Sequence, residues 1–411
     1  MKKNQYLSAK RAASELNISL STLYSYVSRG FIRSEEGGSS KRDRLYHGED
    51  VERLKARKEA RKNPERVAKR ALHAGEPVLE SAITLITDDC VYYRGHDALS
   101  LAVTESIERV AALVWTGDLD ADLPVLTHPD AGALSPRCRD MLARLEGLKP
   151  IERFQALLPI AAAEDLAVYD LRSEAVVQTG ARILRCLTAM VVGEGTGEGI
   201  AQALQKAWAA DFSEAVDLIN TVLILYADHE LNTSAFAARC AASAGSTPYG
   251  AVCAGLAALQ GYKHGAASER TEALFREAEI QGDVERTVVD RLRRGEMISG
   301  FGHAVYRDVD PRARLLLTQI EKQFPNAPDL ALAYEIIDVT HRLTSVRYNV
   351  DLALATLVRV LKMPDGCAMA LFALGRIAGW IGHAIEQYEA DVLIRPRAKY
   401  VGVQPVGVEG V

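Results

Sequence analysis

A stretch near residue 300 combines residue types that could carry out acid–base and anion-binding chemistry. Gly300 and Gly302 flank an aromatic residue and lead into His303, and Arg307 and Arg312 follow closely. Glycines let the backbone approach a ligand. Histidine exchanges protons near neutral pH, and arginine forks suit phosphates and carboxylates. The alternative is a glycine-rich turn beside a surface arginine pair, and the stretch alone does not decide between the two.

Three further segments place a histidine or an aspartate in a setting that suits a ligand. His229 and Asn232 have the spacing of one helix face, where an imidazole and an amide could bind an anionic oxygen. His264 is followed by glycine and small residues, which leave room for a ligand against the ring. Asp351 stands between apolar residues, and a desolvated carboxylate is a better base. The alternatives are a packed histidine, a solvated turn histidine and an N-cap aspartate.

Two arginine segments follow near the C-terminus. Arg376 lies among small residues in a helical pattern, and Arg395 and Arg397 flank a proline after the last predicted helix. Each is an ordinary basic feature by itself. The ordered occurrence of these segments around His303 weakens the alternative of a simple glycine turn.

Composition bounds the class of protein. The 411 residues are 48% hydrophobic and 25% charged, which indicates a globular chain of more than one domain. The six cysteines show neither disulfide nor metal-ligand spacing, so we expect a reducing cytoplasm and no bound metal. The N-terminus lacks the apolar core of a signal peptide, and no uncharged apolar run is long enough for a membrane span, so we expect no membrane partner.

Charge is distributed unevenly along the chain. Residues 1–70 carry 18 Lys and Arg against nine Asp and Glu, a net charge of +9. The remainder carries 31 against 45, a net charge of −14. A basic head on an acidic body indicates two domains with different partners.

The head has the pattern of a small nucleic-acid-binding module. Apolar spacing predicts two short helices capped by Ser8 and Ser19, with Gly30 ending the second. Residues 31–46 then suggest a two-stranded basic wing. The pattern resembles the winged helix-turn-helix of the MerR and excisionase type, so we expect residues 1–65 to bind DNA. The alternative is a protein-interaction domain with a solvated basic face.

Beyond residue 70 the apolar spacing is mostly helical, so the body is predicted to be all-α. The exception is a predicted hairpin at Ser81–Arg94. The clearest helical patterns are Ile107–Trp115, Met141–Leu148, Ala175–Val192 and Ala215–Tyr226.

Over roughly residues 75–405 the ordered motifs closely resemble the citrate synthase family. The matching segments are Asp-His-Glu-Leu-Asn at 228–232, His-Gly at 264–265, the glycine–histidine–arginine stretch at 300–312, Asn-Val-Asp at 349–351, Arg-x-x-Gly-Trp at 376–380 and Arg-Pro-Arg-x-x-Tyr at 395–400. Tyr262, Lys263 and Tyr348 depart from the family pattern, which has proline and leucine before the histidine and proline before the asparagine. These departures bear on local loop shape and substrate range.

The resemblance implies an acyltransferase that condenses acetyl-CoA with oxaloacetate and water, giving citrate and CoA without a cofactor. By the same resemblance, Asp351 takes the methyl proton of the acetyl group, and His264 stabilises the enol. His303 polarises the ketone and protonates it.

Binding roles are also implied by the resemblance. Oxaloacetate and the citrate carboxylates are bound by His229, Arg312, Arg376 and, from the other subunit of a homodimer, Arg395. The CoA phosphates are expected to meet Arg307 near the backbone of Gly300 and Gly302.

The implied architecture is an all-α, two-domain helical fold preceded by the winged module. The large domain would comprise 70–265 and 361–411, and the small domain, 266–360, would close over the substrates. Two other functions remain open: a 2-methylcitrate synthase that uses propionyl-CoA, and a transcription regulator whose body senses citrate, oxaloacetate or acyl-CoA. A pure sensor would not need Asp351.

Overall fold

The computed structural model describes residues 6–29, 31–36, 44–51, 54, 79–87, 89–127, 133–193, 198–306, 308–398 and 400–403. The chain forms two compact units, Met1–Glu80 and Ser81–Val411. The predicted division of the body into a large and a small domain, and the limits of each, stay predictions.

The N-terminal unit contains two short helices, Ala9–Leu16 and Leu20–Ser28, at the predicted places. As expected, the hydroxyl oxygens of Ser8 and Ser19 accept hydrogen bonds from main-chain N–H groups in the first turns. These caps satisfy donors that a helix start would otherwise leave free. The predicted C-terminal cap Gly30 lies outside the described residues.

A three-stranded antiparallel sheet completes this unit, in the order Tyr6–Ser8, Arg44–His47, Ser34–Glu36. The strand Tyr6–Ser8 was not predicted. The first strand of the predicted wing begins at Ser34 rather than at residue 31. Ile32 is instead buried in the small core. The predicted wing tip at Gly37–Ser40 lies outside the described residues.

The unit Ser81–Val411 is mostly helical, as predicted. It begins with a small antiparallel sheet of Thr84–Ile86, Val91–Tyr93 and His96–Asp97, which confirms the hairpin. The helices are Ala98–Thr104, Ile107–Thr116, Pro124–Thr127, Pro136–Ala143, Pro150–Glu164, Ser173–Val192, Ile200–Trp208, Val216–Leu225, Thr233–Ser243, Pro248–Leu259, Ala267–Gln281, Val284–Arg293, Pro311–Gln323, Pro328–Thr344, Val350–Val360 and Cys367–Ala390, with 3-10 turns at Leu166–Tyr169 and Ser213–Ala215.

One predicted helix is displaced. The pattern indicated Met141–Leu148, but the helix is Pro136–Ala143. Ser135 accepts a hydrogen bond from the N–H of Cys138, and proline fits the first helical position. This N-terminal signal outweighs the apolar spacing that follows it.

Helix Cys367–Ala390 runs through the core and brings Arg376 against the chain around residue 227. Two of its glycines permit this approach. A Cβ on Gly375 would lie 2.4 Å from the Leu223 carbonyl oxygen, and one on Gly379 would lie 2.3 Å from Oδ1 of Asp228. This helix and Ser173–Val192 are long and apolar enough to cross a membrane, but their apolar windows are 100% and 67% buried within the fold.

Candidate active site

The loop that carries His303 is joined to the segment that carries Asp351. The N–H of Gly302 donates to the Arg347 carbonyl (2.7 Å), and the N–H of Asn349 donates to the Gly300 carbonyl (2.9 Å). The Asn349 amide also donates to the Gly302 carbonyl at 2.8 Å. Both glycines have positive φ, +84° and +78°, a conformation that other residues rarely adopt. The glycines therefore shape the loop.

The tautomer of His303 is set by its own loop. Its Nδ1 accepts hydrogen bonds from the N–H groups of Val305 (3.1 Å) and Tyr306 (3.4 Å). The pKa of His303 falls to about 4, because burial disfavours the imidazolium and the Arg312 charge repels it. A neutral ring whose Nδ1 accepts must carry its proton on Nε2, so His303 presents one N–H donor.

His229 contacts the same loop. Its Nε2 lies 3.0 Å from the Tyr306 hydroxyl, and its ring meets the His303 ring edge-on with centroids 5.2 Å apart. Burial, followed by the charges of Arg312 and Arg376, holds the pKa of His229 well below its ordinary value. His229 is therefore a neutral ring among cations.

The expectation that His229 and Asn232 share a helix face is wrong. The helix begins only at Thr233, and Asn232 is its N-cap, accepting from the N–H groups of Ser234 and Ala235. His229 therefore lies before the start of the helix, and its ring contacts the His303 loop.

Arg312 is held by a buried carboxylate. Its Nε and Nη2 donate to the two oxygens of Asp310 at 3.0 and 2.8 Å, and both side chains are almost fully buried. Asp310 also accepts from the N–H of Val350 at 3.2 Å. One carboxylate thus orients the arginine and anchors the start of the helix that bears Asp351.

Arg376 is the second buried cation. Its Nε donates to the Tyr226 carbonyl at 2.7 Å, and its guanidinium lies over the Phe372 ring, 5.1 Å from the centroid. Among the described residues, no carboxylate accepts a hydrogen bond from Arg376. Burial lowers the pKa of Arg376. Its terminal nitrogens are suited to an anion that enters the site.

Ser234 sets the direction of His264. Nε2 of His264 lies 2.9 Å from the Ser234 hydroxyl oxygen, which also accepts from the Trp380 indole N–H (3.1 Å). The pKa of His264 falls to about 4 through burial, with a smaller effect of Arg376. The ring is therefore neutral at pH 7, and Nδ1 is the nitrogen that remains for a ligand.

Asp351 lies in the first turn of helix Val350–Val360. Asn349 is the N-cap, because its oxygen accepts from the Asp351 N–H at 3.0 Å, so the N-cap alternative for Asp351 is excluded. Burial raises the pKa of Asp351 to about 6, against the opposing charge of Arg312. Its carboxylate accepts from the Tyr226 hydroxyl at 3.4 Å. This group is a base poised near neutral pH.

An aromatic layer connects Asp351 with His264. The Tyr226 and Phe372 rings are 4.3 Å apart, and the His264 ring meets Phe372 edge-on at 5.7 Å. Because Tyr226 also donates a hydrogen bond to Asp351, the Asp351 carboxylate and the His264 imidazole both contact this aromatic layer. Arg376 lies on the same layer.

The remaining predicted binding residues are Arg395, Arg307, Gly300 and Gly302. Arg395 is exposed in the segment after helix Cys367–Ala390. Arg307 lies outside the described residues. Gly300 is buried, and its carbonyl accepts a hydrogen bond from Asn349. Gly302 lines a neighbouring cleft of about 530 Å³ with Val305 and residues 345–348, and the contact of the two glycines with CoA stays a prediction.

The site also uses residues that the sequence analysis did not assign: Asp310, Tyr306, Ser234 and Tyr226. Asp310 had a readable signal, since an aspartate before a proline is typical of an N-cap. Ser234 and Tyr226 are selected by long-range packing, and nothing in their local sequence indicates it.

Known proteins resemble this chain over most of its length. The family model for the citrate synthase C-terminal domain matches residues 72–397. The chain belongs to the citrate synthase family. It is therefore an enzyme of the acyltransferase type, and the reaction of this family takes acyl-CoA as a substrate and needs no cofactor.

Relatives in the family span the body of the chain. A citrate synthase of Haloferax volcanii is 29% identical over 361 residues, covering 80% of this chain and 94% of its own. A citrate/2-methylcitrate synthase of Bacillus subtilis is 29% identical over 336 residues, covering 76% and 90%. The citrate synthase of Thermoplasma acidophilum was solved as a ternary complex with carboxymethyl coenzyme A and oxaloacetate. It superposes with a TM-score of 0.72 at 25% identity, covering 84% and 98%.

The raised pKa of Asp351 predicts the acidic limb of the pH profile. A base must be ionised to accept a proton, so log kcat/KM should rise with unit slope below about pH 6 and level off above it. His264 and His303 should not add a second limb there, since the pKa of each is about 4. Steady-state rates between about pH 5 and pH 8 test this.

Glu272 provides the matched control for this profile. Burial raises the pKa of Glu272 to about 7, but the residue lies outside the cluster. Glu272→Gln should leave the limb in place, whereas the residual rate of Asp351→Asn should be flat. A limb that survives in Asp351→Asn would contradict the assignment of the base.

Proposed function

We propose that the chain is a citrate synthase that condenses acetyl-CoA with oxaloacetate and water, releasing citrate and CoA. The observation that carries the proposal is one arrangement. The desolvated carboxylate of Asp351 and the neutral ring of His264 contact the same aromatic layer. The neutral donor His303 lies against His229, beside buried arginines. Carbon–carbon bond formation at an acidified methyl group needs such a base and such donors.

Oxaloacetate matches the cationic side of the cluster. Arg312 and Arg376 offer two guanidinium groups to a dicarboxylate, and His229 adds a neutral ring that can share a hydrogen bond with a carboxylate oxygen. The Nε2 proton of His303 is then free to donate to the ketone oxygen. The Thermoplasma acidophilum relative was solved with oxaloacetate, which supports this choice of substrate.

Acetyl-CoA would be activated by Asp351 and His264. The carboxylate removes a proton from the methyl group, and an N–H at Nδ1 of His264 stabilises the oxygen of the enol. For Nδ1 to hold that proton, Nε2 must accept from Ser234, whose hydroxyl is positioned to donate either to His264 or to Asn232.

The new bond forms when the enol carbon attacks the ketone carbon of oxaloacetate. His303 hydrogen-bonds the developing alkoxide and passes its Nε2 proton to it. Water then attacks the thioester of citryl-CoA and gives a proton back to Nε2 of His303. The CoA thiolate leaves and takes the proton that Asp351 removed from the methyl group, which releases citrate and the CoA thiol.

A homodimer would complete the anion site. Arg395 is exposed in a terminal segment that follows the last helix, and by the family resemblance Arg395 of the partner subunit adds a third arginine for the substrate carboxylates. CoA would lie along the cleft lined by Gly302 and residues 345–348. By the family resemblance, Arg307 would meet its phosphates.

Propionyl-CoA is the second candidate acyl donor. The Bacillus subtilis relative is named a citrate/2-methylcitrate synthase. Tyr262 and Lys263 directly precede His264, and both are exposed. They replace the proline and leucine that are usual in the family. With propionyl-CoA, Asp351 would act on a methylene rather than on a methyl group.

Release of CoA thiol tests the proposed reaction. With oxaloacetate present, the wild-type protein should release thiol from acetyl-CoA, and Asp351→Asn should lose at least about 100-fold in kcat, because removal of a general base costs roughly that much. Parallel assays with propionyl-CoA identify the acyl donor by the larger kcat/KM.

Two controls make the assay decisive. Release without oxaloacetate would reveal a simple thioesterase. Asp329→Asn, a carboxylate bonded to Arg359 in the same unit, should keep the wild-type rate. Folded protein that releases no thiol from either acyl-CoA would overturn the enzyme proposal and favour a metabolite-sensing regulator.

We also propose that the N-terminal unit binds DNA. Helix Leu20–Ser28 presents polar side chains to solvent on one face, and its neighbour Arg29 is exposed as well. Ser21, Ser28 and Tyr24, which is 52% exposed, can all bond to phosphates or base edges. The net charge of +9 in residues 1–70 would supply the attraction to phosphate.

Fluorescence anisotropy with fragments of the genome that encodes the chain tests DNA binding. We expect affinity to fall steeply with salt, and Arg29→Ala to reduce the slope by about one counterion contact. Arg286→Ala removes an equally exposed charge from the catalytic unit and should have no effect. Failure of the wild-type chain to bind any fragment at low salt would contradict the proposal and favour a protein-docking head.

A further inference from the structure

Arg270 lies in the first turn of helix Ala267–Gln281, six residues after His264, and has no part in the mechanism above. Its guanidinium makes two hydrogen bonds that point in different directions. Nε donates to the Ser299 hydroxyl at 3.1 Å, and Nη1 donates to the Tyr262 carbonyl at 3.1 Å. A single rigid fork therefore joins two loops.

The first loop carries His264. Tyr262 precedes this histidine by two residues, and its side chain is 64% exposed, so packing does not hold it. Within the loop, the N–H of His264 donates to the Gly261 carbonyl at 2.8 Å. The bond from Arg270 to the Tyr262 carbonyl adds an anchor at the exposed turn between these residues.

The second loop carries His303. Ser299 is buried and directly precedes Gly300, whose carbonyl accepts from Asn349 at 2.9 Å. Asn349 in turn caps the helix of Asp351. Fixing Ser299 therefore fixes the entrance of the His303 loop and, through one further hydrogen bond, the start of the helix that bears the base.

Arg270 also acts on Asp351 through its charge. Burial raises the pKa of Asp351 to about 6, and the charge of Arg312, with a smaller contribution from Arg270, opposes this. The other groups that face this carboxylate are Asp310 and Tyr226. Arg270 thus favours the ionised form of Asp351.

We propose that Arg270 is a positioning residue that clamps the His264 loop to the His303 loop and so sets the geometry of His264 and Asp351 for proton transfer. This inference rests on the proposed synthase activity for its catalytic meaning, but the clamp itself is a structural claim. Arginine suits the role because its planar fork bonds two acceptors at a fixed angle, whereas the ammonium group of lysine is a single point.

The test compares Arg270→Met and Arg270→Lys with Arg276→Met. Arg276 lies on the same helix and is exposed, so its replacement removes an equal charge without touching either loop. We expect Arg270→Met to lower kcat about 10- to 100-fold, since small misplacements of reacting groups have effects of that size. KM for oxaloacetate should stay within about twofold, because Arg270 touches none of the groups assigned to oxaloacetate.

Arg270→Lys should recover only part of the rate, because it restores charge but not both bonds. Amide hydrogen exchange gives a readout that does not need turnover. Peptides covering 261–266 and 297–302 should exchange faster in Arg270→Met than in wild type, and at the wild-type rate in Arg276→Met.

The outcomes separate the clamp from the proposed function. Unchanged exchange in both loops would overturn the clamp whatever the activity, and faster exchange with unchanged kcat would overturn its catalytic role. If the wild-type protein has no synthase activity, the proposed function fails while the exchange result still decides whether Arg270 joins the loops.

Discussion

The site depends on the buried carboxylate of Asp310. Its two oxygens accept from the Arg312 side chain, from the main-chain N–H of Arg312 and from the N–H of Val350. It therefore caps one helix, orients the Arg312 guanidinium and anchors a second helix at Val350, the residue before Asp351. Removing one partner of such a buried pair typically costs about 3–5 kcal/mol, because the other charge is left uncompensated.

Burial and the nearby arginines account for the neutral state of the three histidines. Burial lowers the pKa of His229, His264 and His303, and the nearby Arg312 or Arg376 lowers it further. A neutral ring donates a hydrogen bond at one nitrogen and accepts one at the other, whereas a protonated ring can only donate. In the proposed function the same arginines attract the anionic substrate. One pair of cations would then serve both substrate binding and the protonation state of the histidines.

The chemistry-bearing residues were readable from the sequence because their motifs are local. The segments from Gly300 to Arg312 and from Asn349 to Asp351 are both short. The structure brings His229, His303 and Arg312 together. It also places His264, Asp351 and Arg376 against one aromatic layer. The helical body was also predictable, since its apolar spacing is regular. The expectation that failed most clearly was the shared helix face of His229 and Asn232, because Asn232 is the N-cap and the helix begins only at Thr233, after His229.

What the sequence could not show is how distant segments meet. The contacts of Ser234 with His264 and Trp380, and of Tyr226 with Asp351, join residues more than 25 positions apart, so no local pattern reports them. The bond of Arg270 to Ser299, 29 positions away, belongs to the same class. Arg395 illustrates the other limit, because its predicted role requires a second copy of the chain.

Calorimetric titration with oxaloacetate near neutral pH, comparing wild type with Arg376→Met, tests whether the buried arginines form a cationic site for a dicarboxylate. Arg376 is a buried cation without a carboxylate hydrogen-bond partner among the described residues, so its replacement should leave Tm unchanged or raise it. The same change should weaken oxaloacetate binding by about 2–5 kcal/mol, roughly 30-fold or more. Unchanged affinity, or a loss of affinity that merely follows a fall in Tm, would contradict the account of a cationic site built to receive a dicarboxylate.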